Sequence, residues 1–130
     1  MEVLISQEQG RVPVTVFRLK GDLREDERLE TLVRKSFEAG TRHMLMDLTE
    51  VPHVSSRGLR ILHQTYTLLR SDAGGVSDEA MKQGLSEGTY KSPNLKLLNP
   101  SEAVMKVLRL VGYDMFIEIH YNFKEAIASF

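Results

Sequence analysis

Residues 44–62 read MLMDLTEVPHVSSRGLRIL, a short apolar run that leads through a loop into a second apolar pattern. The segment Met44–Leu48 is nearly all apolar, which is typical of a buried strand. After Ser55 and Ser56 the apolar residues recur at helical spacing, at Leu59, Leu62, Tyr66 and Leu69. The stretch therefore predicts a strand, a short connection and a helix that begins at one of the two serines.

The alternation of strand and helix patterns extends upstream of this stretch. Residues 14–19 have apolar side chains at both odd and even positions, as expected for a central strand that is covered on both faces. Residues 3–5 form a shorter apolar segment, which a polar turn at 7–10 is expected to end. Asp22 and Glu25 have the spacing of a helix N-cap and its partner, so they predict the start of a helix.

The alternation also extends downstream. Residues 95–98 indicate another strand, and Asn99 followed by Pro100 predicts a helix start with an Asn cap. Residues 115–119 predict a last strand, and residues 124–129 a short terminal helix. Repeated alternation of this kind predicts an α/β fold rather than a sandwich or a helix bundle.

Residues 71–93 interrupt the pattern. This stretch of 23 residues holds four of the nine glycines, and its apolar residues are too sparse to anchor a core. Structureless loops of this length are usually functional or disordered. We therefore predict one domain over residues 1–130, with a mobile, acidic, Gly-rich insertion at 71–93.

Composition excludes several classes of protein. The chain has 130 residues and no cysteine, which suits one domain and excludes thiol catalysis, disulfides and Cys-based zinc sites. Seventeen Lys and Arg against eighteen Asp and Glu give a net charge of −1, which argues against nucleic acid as the main partner. No apolar run exceeds three residues, so we do not expect membrane insertion. We expect a cytoplasmic location.

No catalytic or metal-binding motif stands out. His53 is close in sequence to Ser55 and Ser56, but no Gly-x-Ser-x-Gly elbow is present, and adjacency alone does not make a triad. The four histidines show no i, i+4 pairing. We therefore expect no enzyme activity, no metal and no cofactor.

The two serines at the predicted helix start admit two interpretations. Their hydroxyls can accept hydrogen bonds from backbone N–H groups that the helix leaves unpaired, which is ordinary capping. A phosphate there would be stabilised by the same groups and by the helix dipole, with Arg57 and Arg60 as counter-charges. Spacing alone favours the cap without a switch.

The chain resembles the STAS domain, the fold of bacterial anti-sigma factor antagonists. The resemblance covers essentially the whole chain outside the insertion. It rests on an ordered set of segments: residues 14–19 with Gly21-Asp22-Leu23, residues 40–42 leading to Met46-Asp47-Leu48, residues 51–62, and residues 95–100 with 104–112.

The resemblance implies a mixed sheet of four to five strands backed by about four helices. It implies a non-catalytic module that binds an anti-sigma factor with serine kinase activity and is released when a loop-to-helix serine is phosphorylated. Ser56 is then the expected phosphoacceptor and Ser55 the second choice. The expected partner-binding residues are His53, Ser55, Ser56, Arg57, Gly58, Leu59 and Arg60.

Two departures from the family pattern leave alternatives open. The family loop reads Asp-Ser-Ser/Thr-Gly-Leu, whereas here Ser55 stands at the Asp position and Arg57 at the second hydroxyl position. Arg24 also replaces an Asp that often follows the Gly-x-Leu segment. The chain could instead be a STAS subunit of another signalling or lipid-transport complex, or a small-ligand sensor, without phosphoswitching. A homodimer is also open, because exposed sheet edges in this fold could pair.

Overall fold

A five-stranded sheet forms the centre of the computed structural model, which describes residues 1–24, 26–70 and 91–130. The strands are β1 (Glu2–Gln9), β2 (Pro13–Lys20), β3 (Met44–Glu50), β4 (Leu95–Leu98) and β5 (Glu118–His120), and their spatial order is their chain order. β1 is antiparallel to β2, and the remaining neighbours are parallel. The described helices are α1 (Glu27–Glu38), α2 (Ser56–Arg70), α3 (Glu102–Val111) and α4 (Phe123–Ser129), with a 3₁₀ turn at Tyr113–Met115. The predicted mixed α/β fold is confirmed.

Helices α1, α2 and α3 cover one face of the sheet. Alternate strand residues on this face are fully buried, including Phe17, Met46 and Leu97. They pack with apolar residues of the three helices, among them Leu29, Leu62, Leu69 and Leu108. β2 and β3 have buried residues on both parities, as their near-continuous apolar runs predicted.

The short helix α4 covers part of the opposite face. Its Ala126 and Ile127 pack on Val14, Val16 and Leu45, which are fully buried. The buried Lys96 fastens the end of the helix, because its Nζ donates to the Ser129 carbonyl oxygen at 2.8 Å and to the Ser129 Oγ at 3.0 Å. Helix α4 is therefore held by apolar burial and by a charge-assisted contact.

The predicted start of the first helix was wrong. Asp22 is not its cap, and the expected cap partner, Glu25, lies outside the described residues. Asp26 caps α1 instead, and its side chain accepts two backbone N–H groups of the first turn. The reason is tertiary: Leu23 forms a parallel bridge with Val54, and its N–H donates to the carbonyl oxygen of His53 at 2.9 Å, so a helix cannot begin at Asp22.

The predicted Asn99 cap was also wrong. Ser101 caps α3, and its Oγ accepts a backbone N–H of the first turn at 3.2 Å. Asn99 has a left-handed backbone with φ of 51°. Its backbone N–H donates to the carbonyl oxygen of His120 at 2.8 Å, and its side-chain Nδ2 donates to Thr49 Oγ1 at 3.3 Å. These contacts hold Asn99 beside the sheet, so the helix starts later than predicted.

Both edge strands differ in length from their predictions. The turn expected at residues 7–10 begins too early, since β1 continues through Gln9 and pairs with β2 along its full length. An edge strand can carry polar residues because one side of it faces water. The strand expected at 115–119 is shorter, because Met115 belongs to the 3₁₀ turn and β5 covers only Glu118–His120.

Of the insertion predicted at residues 71–93, the structure describes only the last three residues. Residues 71–90 lie outside the described residues. Ser92 is buried, and its Oγ accepts hydrogen bonds from the backbone N–H groups of Asn94 at 3.3 Å and Leu95 at 3.2 Å. Ser92 therefore belongs to the fold, as the turn that leads into β4, and not to the insertion.

Candidate functional site at the amino end of helix α2

The loop that leads into α2 is hydrogen-bonded to the segment that follows β2. The Leu23 N–H donates to the carbonyl oxygen of His53, and the Ser55 N–H donates to the carbonyl oxygen of Leu23, both at 2.9 Å. Val54 lies between them and forms the bridge with Leu23. Two distant parts of the chain thus set the position of the helix start, and the main chain of Leu23 is a component that the sequence did not reveal.

Ser55 caps α2. Its Oγ accepts the backbone N–H of Gly58 at 3.1 Å, and its carbonyl oxygen accepts that of Leu59 at 2.9 Å. The Ser55 hydroxyl also donates to the Leu23 carbonyl oxygen at 3.4 Å, and the residue is half-buried. The Ser55 side chain therefore satisfies one backbone donor that the helix would otherwise leave unpaired.

Ser56 is the first residue of α2, and its side chain is exposed. Arg57 and Arg60 are exposed in the same turn, and His53 is exposed in the preceding loop. Each of these residues is accessible to a partner, whereas the neighbouring Ser55 hydroxyl is occupied. The structure thus separates the two serines, either of which the spacing of the sequence allowed as the helix start.

The charge at the start of α2 differs from that of the other described helices. The first turn of α2 has no acidic residue. The first turns of α1, α3 and α4 each contain at least one, for example Glu27, Glu102 and Glu125. Acidic groups are favourable at a helix amino end, where the partial charge is positive. At α2 that partial charge adds to Arg57 and Arg60, so this surface suits an anion.

Gly58 and Leu59 fix the helix rather than presenting side chains to a partner. Gly58 is buried, and a Cβ built on it would lie 2.2 Å from the carbonyl oxygen of Leu23. Leu59 is also buried and belongs to the main core. Of the seven residues predicted to bind a partner, these two are therefore covered by the fold itself.

A polar network lies nearby, where β3 and β4 end. The buried Asp47 carboxylate accepts Arg18 Nε at 3.2 Å, the Thr49 backbone N–H at 3.0 Å and the Thr49 hydroxyl at 2.5 Å. Through Thr49 the network reaches Asn99. It satisfies the buried carboxylate and holds the two strand ends together, which explains why an Asp is tolerated in an otherwise apolar strand.

No metal-ligand cluster accompanies the site in the described ranges: no three His, Asp or Glu side chains converge there as metal ligands would. What the arrangement offers chemically is an exposed hydroxyl on a positively charged helix start. That combination suits the transfer of a phosphate to Ser56 and its retention there.

Comparison with known families identifies the fold. The family model for the STAS domain matches residues 5–77, which is more than half of the chain. The chain belongs to the STAS domain family. The matched range includes the second half of β1 and the whole of β2, β3 and α2, so this STAS member carries the candidate site inside the matched part. Comparison with curated protein sequences finds no match.

Solved structures of STAS proteins share the fold of this chain. An anti-sigma factor antagonist from Mycobacterium paratuberculosis has a TM-score of 0.71 at 18% identity, over 98% of this chain and 92% of that chain. The Bacillus cell fate determinant SpoIIAA in its phosphorylated form has a TM-score of 0.63 at 19% identity, over 95% of this chain and 96% of that chain. The anti-sigma factor antagonist SpoIIAA in its unphosphorylated form gives 0.64 at 16% identity, over 95% and 92% of the two chains.

At these identities the likeness establishes the fold. One further structural finding concerns membranes: in the ranges that the structure describes, no helix combines the length and apolar character needed to cross a bilayer.

Proposed function

We propose that this STAS protein is an anti-sigma factor antagonist whose partner is an anti-sigma factor with serine kinase activity. The unmodified protein binds this partner, and phosphorylation of Ser56 ends the binding. The observation that carries the proposal is the exposed Ser56 on a helix start with two arginines and no acidic residue. The protein itself is recognised and modified, and it contributes no catalysis and no cofactor.

Ser56 is preferred over Ser55 for a geometric reason. Phosphorylation of Ser55 would require its half-buried hydroxyl to give up the hydrogen bond that it donates to the Leu23 carbonyl oxygen and to move out to the kinase. Phosphorylation of Ser56 leaves the cap in place, because that side chain is exposed. A kinase can therefore reach Ser56 without unfolding the helix start.

A phosphate on Ser56 would cancel most of the local positive charge. The unmodified surface carries Arg57 and Arg60 and suits an acidic patch on the partner. A phosphoserine adds a charge of about −1.5 to −2 at neutral pH. The added charge is stabilised by the helix start within this chain but repels an acidic partner, so one modification favours the free protein and weakens the complex.

The solved relatives are consistent with this proposal. SpoIIAA is described as an anti-sigma factor antagonist and has been solved in unphosphorylated and phosphorylated forms. Both forms share the fold of this chain. A module of this type would work in the cytoplasm, where its partner and the sigma factor are found.

The test is site-specific phosphate mapping. The purified chain is incubated with ATP and each anti-sigma factor kinase encoded in the same genome, and phosphopeptides are located by mass spectrometry. The proposal expects modification at Ser56 that disappears in Ser56→Ala and persists in Ser55→Ala. Modification confined to another residue, or none with any of these kinases, would refute the phosphoswitch.

A second candidate function is a STAS subunit that binds its partner without phosphorylation. Arg57 favours it, because this residue stands where the family loop has its second hydroxyl. In that case no kinase modifies the chain, and Arg57 serves as a constant positive contact. The two functions differ in one observable: phosphate on Ser56 after incubation with the partner and ATP.

A further inference from the structure

We propose that two copies of this chain pair through the outer edge of β1, a self-association that goes beyond the proposed function. β1 is an edge strand of eight residues, and only β2 pairs with it. Its other side has a row of backbone N–H and C=O groups that pair with no strand in the part of the chain that the structure describes. Such an edge is a template for pairing with another strand. The opposite edge, β5, offers only three residues.

The sequence of β1 lacks the usual protection of an edge. Natural edge strands are commonly blunted by Lys, by Pro, or by a bulge. β1 reads EVLISQEQ and contains neither Lys, Arg nor Pro, and its register with β2 is continuous over all eight residues. Its two acidic residues, Glu2 and Glu8, lie near the ends. The central part, residues 3–7, is therefore uncharged and free to pair.

Two large apolar side chains are left exposed on this central part. Leu4 is 65% exposed and Ile5 is 41% exposed, and they lie on opposite faces of the sheet. Ile5 lies beside Phe17 and Val3 beside Leu19, on the face that α1, α2 and α3 cover. A strand added at the edge would extend both apolar surfaces outward.

The side chains favour a second copy in one antiparallel register. If a two-fold axis passes beside Leu4, each Leu4 faces its own copy, Val3 faces Ile5, and Glu2 faces Ser6. All exposed apolar residues of the strand then meet apolar residues, and no like charges are opposed. The charge pattern is thus self-complementary in this register.

Neighbouring registers are less favourable. An axis at Ile5 places Glu2 opposite Glu8, which opposes like charges. An axis at Ser6 places Leu4 opposite Glu8 and Ile5 opposite Gln7, so the apolar residues stay uncovered. The pattern therefore selects the axis at Leu4. It produces one continuous sheet from the two five-stranded sheets.

Single cysteines test this register cleanly, because the chain has none. In Leu4→Cys the two thiols face each other at the axis, at the Cβ separation of directly opposed residues, about 4.5–5.5 Å. In the control Ser6→Cys they are about four residues apart along the strands, roughly 13 Å, which is too far for a disulfide. Under mild oxidation Leu4→Cys should form a covalent dimer and Ser6→Cys should not. The reverse result, or cross-linking in neither variant, would overturn the proposal.

Sedimentation equilibrium of the unmodified chain provides an independent readout. We expect a reversible monomer–dimer equilibrium, with the dissociation constant raised at least about tenfold by Leu4→Lys, because two lysines then oppose each other at the axis. The control Gln9→Lys lies outside the paired residues and should leave the constant within about twofold. A monomer at all concentrations up to millimolar, or equal effects of the two lysines, would contradict pairing at β1.

Discussion

Gly58 in the first turn of α2 lies so close to Leu23 that a Cβ on Gly58 would be 2.2 Å from the Leu23 carbonyl oxygen. That oxygen also accepts the Ser55 N–H, so the same carbonyl fixes both the loop and the helix start. A side chain at position 58 would therefore move the surface that presents Ser56.

Gly58→Ala should destabilise the protein by about 1–3 kcal/mol, because the methyl group collides with backbone that cannot relax by rotating a side chain. In an exposed helix interior the same change stabilises by about 1 kcal/mol, so the sign is diagnostic. Urea denaturation measures the free energy of unfolding. Thr67→Ala, at an exposed position of the same helix, is the control and should be neutral or slightly stabilising. A Gly58→Ala variant as stable as the parent would show that α2 does not depend on the close contact between Gly58 and the Leu23 carbonyl oxygen.

Ser55→Ala should cost about 0.5–2 kcal/mol, since it removes the N-cap of α2. Ser56→Ala should change the free energy of unfolding by no more than about 0.5 kcal/mol, because its side chain is exposed. Thermal or urea unfolding of the two variants side by side checks the assignment. Equal losses in both would mean that the hydroxyls share the cap.

Ser56→Asp should raise the free energy of unfolding by about 0.3–1 kcal/mol at low salt, since it places a negative charge at a helix start that has none. The gain should shrink as salt screens the charge. The control is Ser56→Asn, since an Asn side chain has nearly the shape of Asp but no charge. A loss of stability in Ser56→Asp relative to Ser56→Asn would contradict an anion-favouring helix start.

Acid should destabilise the sheet face that α4 covers. Burial lowers the pKa of His43 below its ordinary value of 6.5, and the charge of Lys96 lowers it further. Burial alone would raise the pKa of Glu118, but hydrogen bonding to Lys96 and the charges of Lys96 and His120 outweigh it, so that pKa lies below 4.5. His120 Nε2 lies 2.8 Å from Glu118 Oε1, although without hydrogen-bond geometry.

Both lowered pKa values make the protein less stable as the pH falls. Each group binds a proton more readily when the chain is unfolded. Its contribution to the free energy of unfolding is therefore fully present above its pKa in the unfolded chain, and it falls as the pH drops toward its pKa in the folded chain. The His43 contribution is lost below about pH 6.5 and that of Glu118 below about pH 4.5. Unfolding free energies measured from pH 8 to pH 4 should decline, and His43→Gln should flatten the upper part of that decline. A stability that rises on acidification would contradict these environments.

The sequence predicted what local patterns control. The apolar runs of β2 and β3 located the central strands, and the apolar spacing of α2 located its start at the two serines to within one residue. Which of the two serines caps the helix could not be predicted from spacing, because the position of Ser55 depends on a carbonyl oxygen at Leu23, more than thirty residues away.

The same physical reason explains the misplaced helix caps. Asp22 and Asn99 both stand in sequences that suit a cap. Partners distant in sequence hold Asn99 itself beside the sheet, and at Asp22 they hold the adjacent Gly21 and Leu23. Tertiary hydrogen bonds at the carboxyl ends of strands outweigh a local capping preference of about 1 kcal/mol. Polar residues also concealed the length of β1, since an edge strand does not need an apolar pattern.

The most direct test of the proposed switch is the affinity of this chain for its anti-sigma factor kinase, measured by calorimetry with a non-hydrolysable ATP analogue to prevent modification. We expect tight binding of the unmodified chain and of Ser56→Ala, and at least a tenfold loss of affinity for the chain phosphorylated at Ser56 and for Ser56→Asp. The control Thr67→Asp, further along the exposed side of α2, should bind as the parent does. Undiminished binding of the phosphorylated chain would show that phosphorylation of Ser56 is not the switch.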